Sequence, residues 1–356
     1  MPAMVRDLLW QAVVRGEEYT AVDVLADALS DGSDEEALLL DIIAPVQEKV
    51  GVEWAAGRLT VAQEHAATAI NERAMAAIAH RRDRRPVDAH RGRVTVSCVD
   101  GEWHAFPARL VAETLRLRGW QVDYLGAQTP TEHLIAHLHH TAPDAVLLSG
   151  SIPTHLPTAH AAITACQAVG VHVMAGGRAF GADGRYARCL GADTWAADAR
   201  GAADVLEAGV LRPRPAAIRQ VVDDLPHLAD QEYTMVTRTR GQLVKQTLVD
   251  LEKRFPAMRS YTDAQRERTA EDLAYIVDYL ATALYVDDAE LFRTFLTWTA
   301  DILTARHVPA HSLVTGLDIL AGQLHDFPRA LALIQLGAAA LAERARGPVL
   351  GPASPA

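Results

Sequence analysis

The chain contains three cysteines in 356 residues, Cys98, Cys166 and Cys189. They sit in one central stretch at spacings that fit no metal-binding pattern, so they read as small core residues. No thiol lies beyond Arg200, and any group held there is non-covalent or attached through something other than cysteine. Positive charge is not in excess either. The 34 Lys and Arg against 45 Asp and Glu give a net charge of -11 at pH 7, the reverse of the basic face that releases counterions from nucleic-acid phosphates. No apolar run is long enough to span a bilayer, and the first residues lack the charged, apolar and small-residue order of a secretion signal. These absences predict a cytoplasmic protein with neither membrane nor nucleic acid as partner. What is present, 49% hydrophobic and 22% charged residues, is the composition of a globular protein long enough for two or three domains.

The stretch VTVSCVDGEWHAFPARLVAETLRLRGWQVDYLG, residues 94–126, reads as strand, loop, helix and strand. Val94 to Val99 alternates like a buried strand, Leu110, Val111, Leu115 and Leu117 mark the helix, Gly119 ends it, and Val122 to Leu125 is the next strand. The loop Asp100-Gly101-Glu102-Trp103-His104 therefore leaves the carboxyl end of a strand, the edge at which open parallel sheets bind ligands. In that loop Glu102 can orient one nitrogen of His104 while the other is presented outward. Strands and helices go on alternating to about Leu206, the pattern of a doubly wound, Rossmann-like sheet. Along the way His133, His137, His139 and His140 read as a solvated helix face without acidic partners.

Glu102-x-His104 resembles the Asp/Glu-x-His-x-x-Gly loop of cobalamin-binding domains, in which the histidine replaces the cofactor's own benzimidazole on cobalt. Two further family positions follow in order: Ser149-Gly150-Ser151, in place of Ser-x-Leu, and Gly176-Gly177, where glycines allow close approach to a bulky ligand. Pro107 stands where the family usually has glycine, a residue tolerated in a first helical turn. The resemblance implies His104 as the cobalt ligand, with Glu102, Trp103, Ser149, Ser151, Thr154, Gly176, Gly177 and Arg178 as further cobalamin contacts. His155 is a second loop polar group within reach of the nucleotide tail.

Ahead of this domain, residues 3–79 read as helices. Leu8, Leu9, Ala12 and Val13 make one apolar stripe, Val22, Val24, Leu25 and Leu29 a second, Leu38 to Val46 with Val50 a third, and a fourth helix runs from Thr60, so a four-helix bundle is expected. In the last connection Trp54 closes a helix, Gly57 makes the turn, and Thr60 can cap the helix carrying Glu64 and His65. Trp54-x-x-Gly57, then Val61-Ala62-x-Glu64-His65, resembles the bundle of CarH-type adenosylcobalamin photoreceptors, where tryptophan, glutamate and histidine cover the upper face of the corrin. Those receptors carry a bundle histidine that ligates cobalt after illumination. If it is the residue following the tryptophan, Ala55 stands there in this chain.

Arg81 to Arg93 reads as a solvated linker and Leu211 to Pro215 as a stiff boundary. About Gln220 to Arg346 is helical again: Gln242 to Phe255 is amphipathic, and Thr262 with Gln265 forms a capping box before Leu273, Ile276, Val277, Leu280 and Leu284. Asp287 with Glu290 starts another helix bearing Leu291, Phe295, Trp298 and Ile302, and Pro309 opens one with Leu313, Leu317, Leu320 and Leu324. The tail after Gly347 is expected to lack order. Helix lengths and the turn Arg306 to His311 look like a globin-like sensor fold. A CarH-like cobalamin module followed by such a domain, with no DNA-binding module ahead of it, resembles the photocobilins, which pair adenosylcobalamin with a bilin such as biliverdin. A bilin needs cations for its propionates, a polar group for its pyrrole nitrogens and flat apolar walls. The candidates are Arg238, Arg240, Arg266 and Arg306; Asp278 or His307; and Tyr275, Tyr279 and Trp298.

The resulting expectation is a multidomain α and α/β chain, with a helical bundle over 1–82, a Rossmann-like cobalamin domain over 92–210 and a globin-like domain over 220–346. Its expected role is light sensing rather than enzymatic, with adenosylcobalamin and a bilin as cofactors and a homo-oligomer or downstream protein as partner. The alternatives are a corrinoid carrier of a methyltransferase system and a non-photochemical cobalamin-binding regulator.

Overall fold

A computed structural model of the chain describes residues 2–81, 91–209, 227–306, 308 and 311–346. The chain divides into two compact units, Met1–Ile218 and Arg219–Ala356. No helix among the described residues is long and apolar enough to cross a membrane. The linker residues 82–90, the boundary Leu211 to Pro215, and His307, Pro309 and the tail after Gly347 lie outside the described residues.

The first unit opens with helices α1 (Pro2–Arg15), α2 (Glu18–Ser30) and α3 (Glu35–Ala37), a π-helical run Leu38–Ile43 leading directly into α4 (Ala44–Ala55), and α5 (Val61–Arg81). The four expected apolar stripes meet in one core that includes Leu9, Leu25, Ile43, Val50 and Met75. Leu8 does not join it. At 46% exposure it faces solvent while Val5, Leu9, Ala12 and Val13 are buried, because at about 100° per residue those four share one arc of the helix and Leu8 falls outside it.

The alternating half supplies β1 (Arg93–Cys98), α6 (Ala105–Leu117), β2 (Gln121–Gly126), α7 (Thr131–Thr141), β3 (Ala145–Ser149), α8 (Leu156–Ala168), β4 (His172–Gly176), α9 (Arg185–Cys189), β5 (Thr194–Ala196) and α10 (Ala199–Glu207). All strand pairs are parallel, in the order β2-β1-β3-β4-β5. Order reverses between β1 and β3, so the crevice at their carboxyl ends is the topological switch point of a flavodoxin-like sheet. Pro107 lies in the first turn of α6, and Gly119 follows that helix at φ +88°. Phe106 and Leu110 of α6 are buried in the same apolar cluster as the bundle helices. Ion pairs reinforce the joint: Arg118 holds Glu36 at 2.9 Å, and Arg200 holds Asp41 at 2.8 Å. Cys98 and Cys166 are buried as expected, whereas Cys189 at the end of α9 is half-buried. His137 is no bystander on a solvated face, since β2 brings Asp123 to 3.2 Å from its Nε2, a partner invisible in the local sequence.

The second unit contains α11 (His227–Asp230), α12 (Glu232–Arg254), α13 (Asp263–Val286), α14 (Ala289–Ala305), α15 (His311–Gln323) and α16 (Pro328–Arg346). The Thr262–Gln265 capping box is formed, and Leu273, Ile276, Val277, Leu280 and Leu284 are all buried. The start of α14 differs from expectation by one residue. Asp288 is the cap, accepting from Glu290 N at 2.8 Å, while Asp287 sits at φ +53° ending α13 and binds Arg329. An aspartate tolerates the left-handed region that closes a helix, so two consecutive aspartates divide the two jobs.

Candidate functional site

Cys98, Ser149 and Gly176 are in register across β1, β3 and β4, with Ala196 of β5 beside Gly176. The loops after β1, β3 and β4 consequently leave the sheet from one row. Glu102 ties the first two together. Its side chain is completely buried; Oε2 accepts from Ser151 N at 2.7 Å and Ile152 N at 3.0 Å, and Oε1 accepts from His104 N at 2.9 Å and lies 2.6 Å from His104 Nδ1. Burial alone would raise the Glu102 carboxyl, but the His104 ring and amide and the Ser151 amide outweigh it and hold it down at about 2. A carboxylate on Nδ1 fixes the proton there, leaving Nε2 as the nitrogen with a free lone pair. His104 is half-buried at the start of α6.

Among the described residues no cluster of three His, Cys, Asp or Glu side chains is placed to hold a metal ion. A lone, carboxylate-oriented imidazole instead suits a metal that brings its remaining ligands with it, as cobalt in a corrin does. The residues therefore fit that group in donor set and orientation. Beneath the loop, Cys98 donates to His104 O at 3.7 Å, its thiol pushed up to about 12 by burial and the Glu102 charge, and is inert as a nucleophile.

The glycines Gly150 and Gly177 also have a packing role. A Cβ at Gly177, whose φ is +93°, would lie 2.3 Å from Gly150 O, and one at Gly150 would lie 3.2 Å from Ala179 Cβ. These positions let the loops after β3 and β4 pass each other, and Ala179 N donates to Gly150 O at 3.0 Å to fasten them. Ser149 is buried at the end of β3, Ser151 and Thr154 are half-buried, and His155 packs with its ring 3.3 Å from a Cβ built on Gly101. Arg178, exposed after Gly177, reaches Glu48 of α4 at 3.5 Å.

On the bundle side Thr60 and Gln63 form a capping box at the start of α5. Trp54 is half-buried at the end of α4, Ala55 half-buried beside it and Val61 exposed. His65 Nδ1 lies 2.7 Å from Glu64 Oε2, repeating the carboxylate-imidazole pairing of the loop. The exposed indole of Trp103 connects the two pairs: it stacks on His104 at 4.0 Å between centroids and neighbours the His65 ring at 6.1 Å. Sequence reading missed Gln47, Thr68 and Asn71, which stand behind Glu64. The available signal was the i, i+4, i+7 spacing of Glu64, Thr68 and Asn71, three polar residues on one face of a core helix.

In the second unit Arg240 Nη2 donates to Asp278 Oδ2 at 2.7 Å, so two candidates assigned different roles meet each other. Arg266 pairs with Glu252 at 2.8 Å, and Tyr279 stacks on Phe295 at 3.7 Å with its plane nearly parallel. Arg238, Tyr275 and Arg306 are exposed and Trp298 is half-buried.

Residues 92–206 match the family model of the B12 binding domain, and residues 5–79 match a second model, also described as a B12 binding domain. The curated HTH-type transcriptional repressor CarA of Myxococcus xanthus is 29% identical over 146 residues, 40% of this chain and 47% of that protein. The chain thus spans about half the length of the curated relative it matches. Among solved structures, the monomethylamine corrinoid protein of Methanosarcina barkeri is 21% identical, with a TM-score of 0.51, 59% of this chain covered and 100% of that one. That likeness supports the bundle-plus-sheet fold. Together the two domain matches support a cobalamin cofactor for the first unit.

Proposed function

We propose that this chain is a light sensor that binds adenosylcobalamin base-off at the β1/β3 switch point, with His104 Nε2 on cobalt. The observation that carries the reading is the buried Glu102 carboxylate, which holds His104 by Nδ1 and is itself held by the amides of the neighbouring loop. When bound, adenosylcobalamin supplies a cobalt–carbon bond that light can break. The chain's own contribution is to fix the imidazole tautomer, to hold the tail-side loops together through Gly150 and Gly177, and to present Trp54, Val61, Glu64 and His65 from the bundle. Ser149, Ser151, Thr154, Gly176 and Arg178 belong to the proposed cobalamin contacts of the loops. Illumination would leave the bundle residues without the group they close on. The bundle then repacks and alters an oligomer or partner surface.

The second unit is proposed to hold a bilin, on the strength of its five long helices and its Arg, Tyr and Trp side chains. Arg240 and Arg266 would exchange their present carboxylate partners for propionates. The curated relative is a transcriptional repressor, which makes gene regulation a candidate output; the net charge of -11 favours a protein partner or second copy over direct DNA contact.

The test is the absorption spectrum of the purified chain with adenosylcobalamin and with biliverdin, before and after green and red light. A cobalt-histidine spectrum bleached by light supports the sensor. Binding without any light response would defeat the photosensory part and favour the carrier or non-photochemical reading. A mobility shift with DNA would overturn the partner assignment.

A further inference from the structure

The α4–α5 face of the bundle contains a polar chain that converges on Glu64. Asn71, fully buried, donates from Nδ2 to Gln47 Oε1 at 2.8 Å. Gln47 donates from Nε2 to Thr68 Oγ1 at 2.6 Å, and Thr68 donates to Glu64 Oε1 at 2.9 Å. Glu64 closes the chain with Oε2 on His65 Nδ1 at 2.7 Å. The amide and hydroxyl donors all point from the core toward Glu64 at the bundle rim, where the His65 ring, donating to the other Glu64 oxygen, neighbours Trp103, the indole stacked on His104.

Packing does not explain this arrangement. The surrounding bundle core is apolar, and among the described residues Asn71 Oδ1 has no hydrogen-bond partner. An unsatisfied buried acceptor is destabilising, whereas replacing both partners of a buried hydrogen bond by apolar groups is close to neutral. Only the donor end of Asn71 is used, and what it secures is the orientation of Gln47, hence of the Thr68 hydroxyl, hence of one Glu64 oxygen. The other Glu64 oxygen is thereby turned to His65 Nδ1, and His65 keeps Nε2 as its outward nitrogen.

We propose that Asn71, Gln47 and Thr68 are positioning residues that set Glu64 and His65, and through them decide which upper group on a cobalamin this chain accepts. The inference rests on the cobalamin reading above. A fixed carboxylate and an imidazole lone pair can accept hydrogen bonds from an upper group bearing hydroxyls, such as a nucleoside, and gain nothing from a methyl group. The chain therefore selects for a hydroxylated upper group.

The experiment compares dissociation constants for adenosylcobalamin and methylcobalamin by titration in the dark, in the 356-residue chain. Wild type should favour adenosylcobalamin. Thr68→Val, which keeps the shape and removes the donor, should reduce the preference by about tenfold, the scale of one hydrogen bond to a charged group; Thr68→Ser should retain it. The triple variant Asn71→Leu, Gln47→Leu, Thr68→Val should lose the preference while melting no lower than wild type. Such a result separates positioning from a structural role. An unchanged preference in Thr68→Val, or an equal loss in Thr68→Ser, overturns the proposal. Equal wild-type affinity for both cobalamins overturns it too while leaving cobalamin binding standing; affinity for neither overturns both.

Discussion

The Glu102–His104 pair commits one imidazole nitrogen and leaves the other to act. His104→Ala should therefore abolish protein ligation of cobalt while the tail-side loops still admit cobalamin, checked by the cobalt nitrogen hyperfine signal in electron paramagnetic resonance; a signal unchanged in the variant would show that another residue is the ligand. Glu102 also makes an acid-stability prediction. Its folded pKa of about 2 lies below the ordinary 4.5, so its contribution is fully present above about pH 5 and is lost as pH falls toward 2. The contribution is on the order of 3 kcal/mol at neutral pH. Glu102→Gln should lower stability at pH 7 by an amount of that order, because one carboxamide cannot accept from both loops, and should flatten stability between pH 5 and 2. Equal acid slopes in urea titrations of both proteins would refute it. The pair was legible in the sequence because both partners lie in one short loop; the Ser151 and Ile152 amides were not, since they arrive from a different loop about fifty residues away. His137 was misread for the same reason, Asp123 being on another element.

At the scale of elements, apolar periodicity located the helices and strands, and capping chemistry placed several ends, as with Thr60 and Thr262. It could not resolve Asp287 from Asp288, which are chemically identical and differ only in backbone conformation. Nor did it announce the π-helical run Leu38–Ile43, whose residues are ordinary helix formers. Glycines were found by position, but the packing of the β3 and β4 loops against each other was not foreseen. Because Gly177 combines φ +93° with a Cβ site 2.3 Å from Gly150 O, Gly177→Ala should cost about 3 kcal/mol through backbone strain and collision. The expected signature is a lower denaturation midpoint at unchanged m-value. A loss under about 1 kcal/mol would mean that the loops after β3 and β4 yield easily and that the glycine serves a ligand instead.

The whole molecule joins two units whose sequences carried unequal information. In the first, motif spacing and topology converge, because a parallel sheet with a switch point puts its chemistry at one edge whatever the helices do. In the second, apolar periodicity marked the helices but no motif spacing tied the candidate side chains together: arginines and aromatics are common on helical faces, and the structure pairs Arg240 with Asp278 and Arg266 with Glu252, neither pairing being encoded locally. The unit boundary predicts that a chain ending near residue 218 retains cobalamin binding with the same cobalt-histidine spectrum, as the Glu102–His104 pair and the bundle both lie before it; loss of binding on truncation would place part of the site beyond it. Pigment chemistry tests the other side of the boundary. Cys98, Cys166 and Cys189 are the only thiols and all belong to the first unit, and two of them, Cys98 and Cys166, are buried with pKa values raised to about 12 by desolvation, which keeps them as unreactive thiols. A bilin taken up by the second unit should thus be released completely by denaturation in acid, leaving a colourless polypeptide on a denaturing gel. Pigment that migrates with the chain would show a covalent bond through some other side chain, and a haem Soret band in protein expressed with haem available would replace the bilin with a different tetrapyrrole.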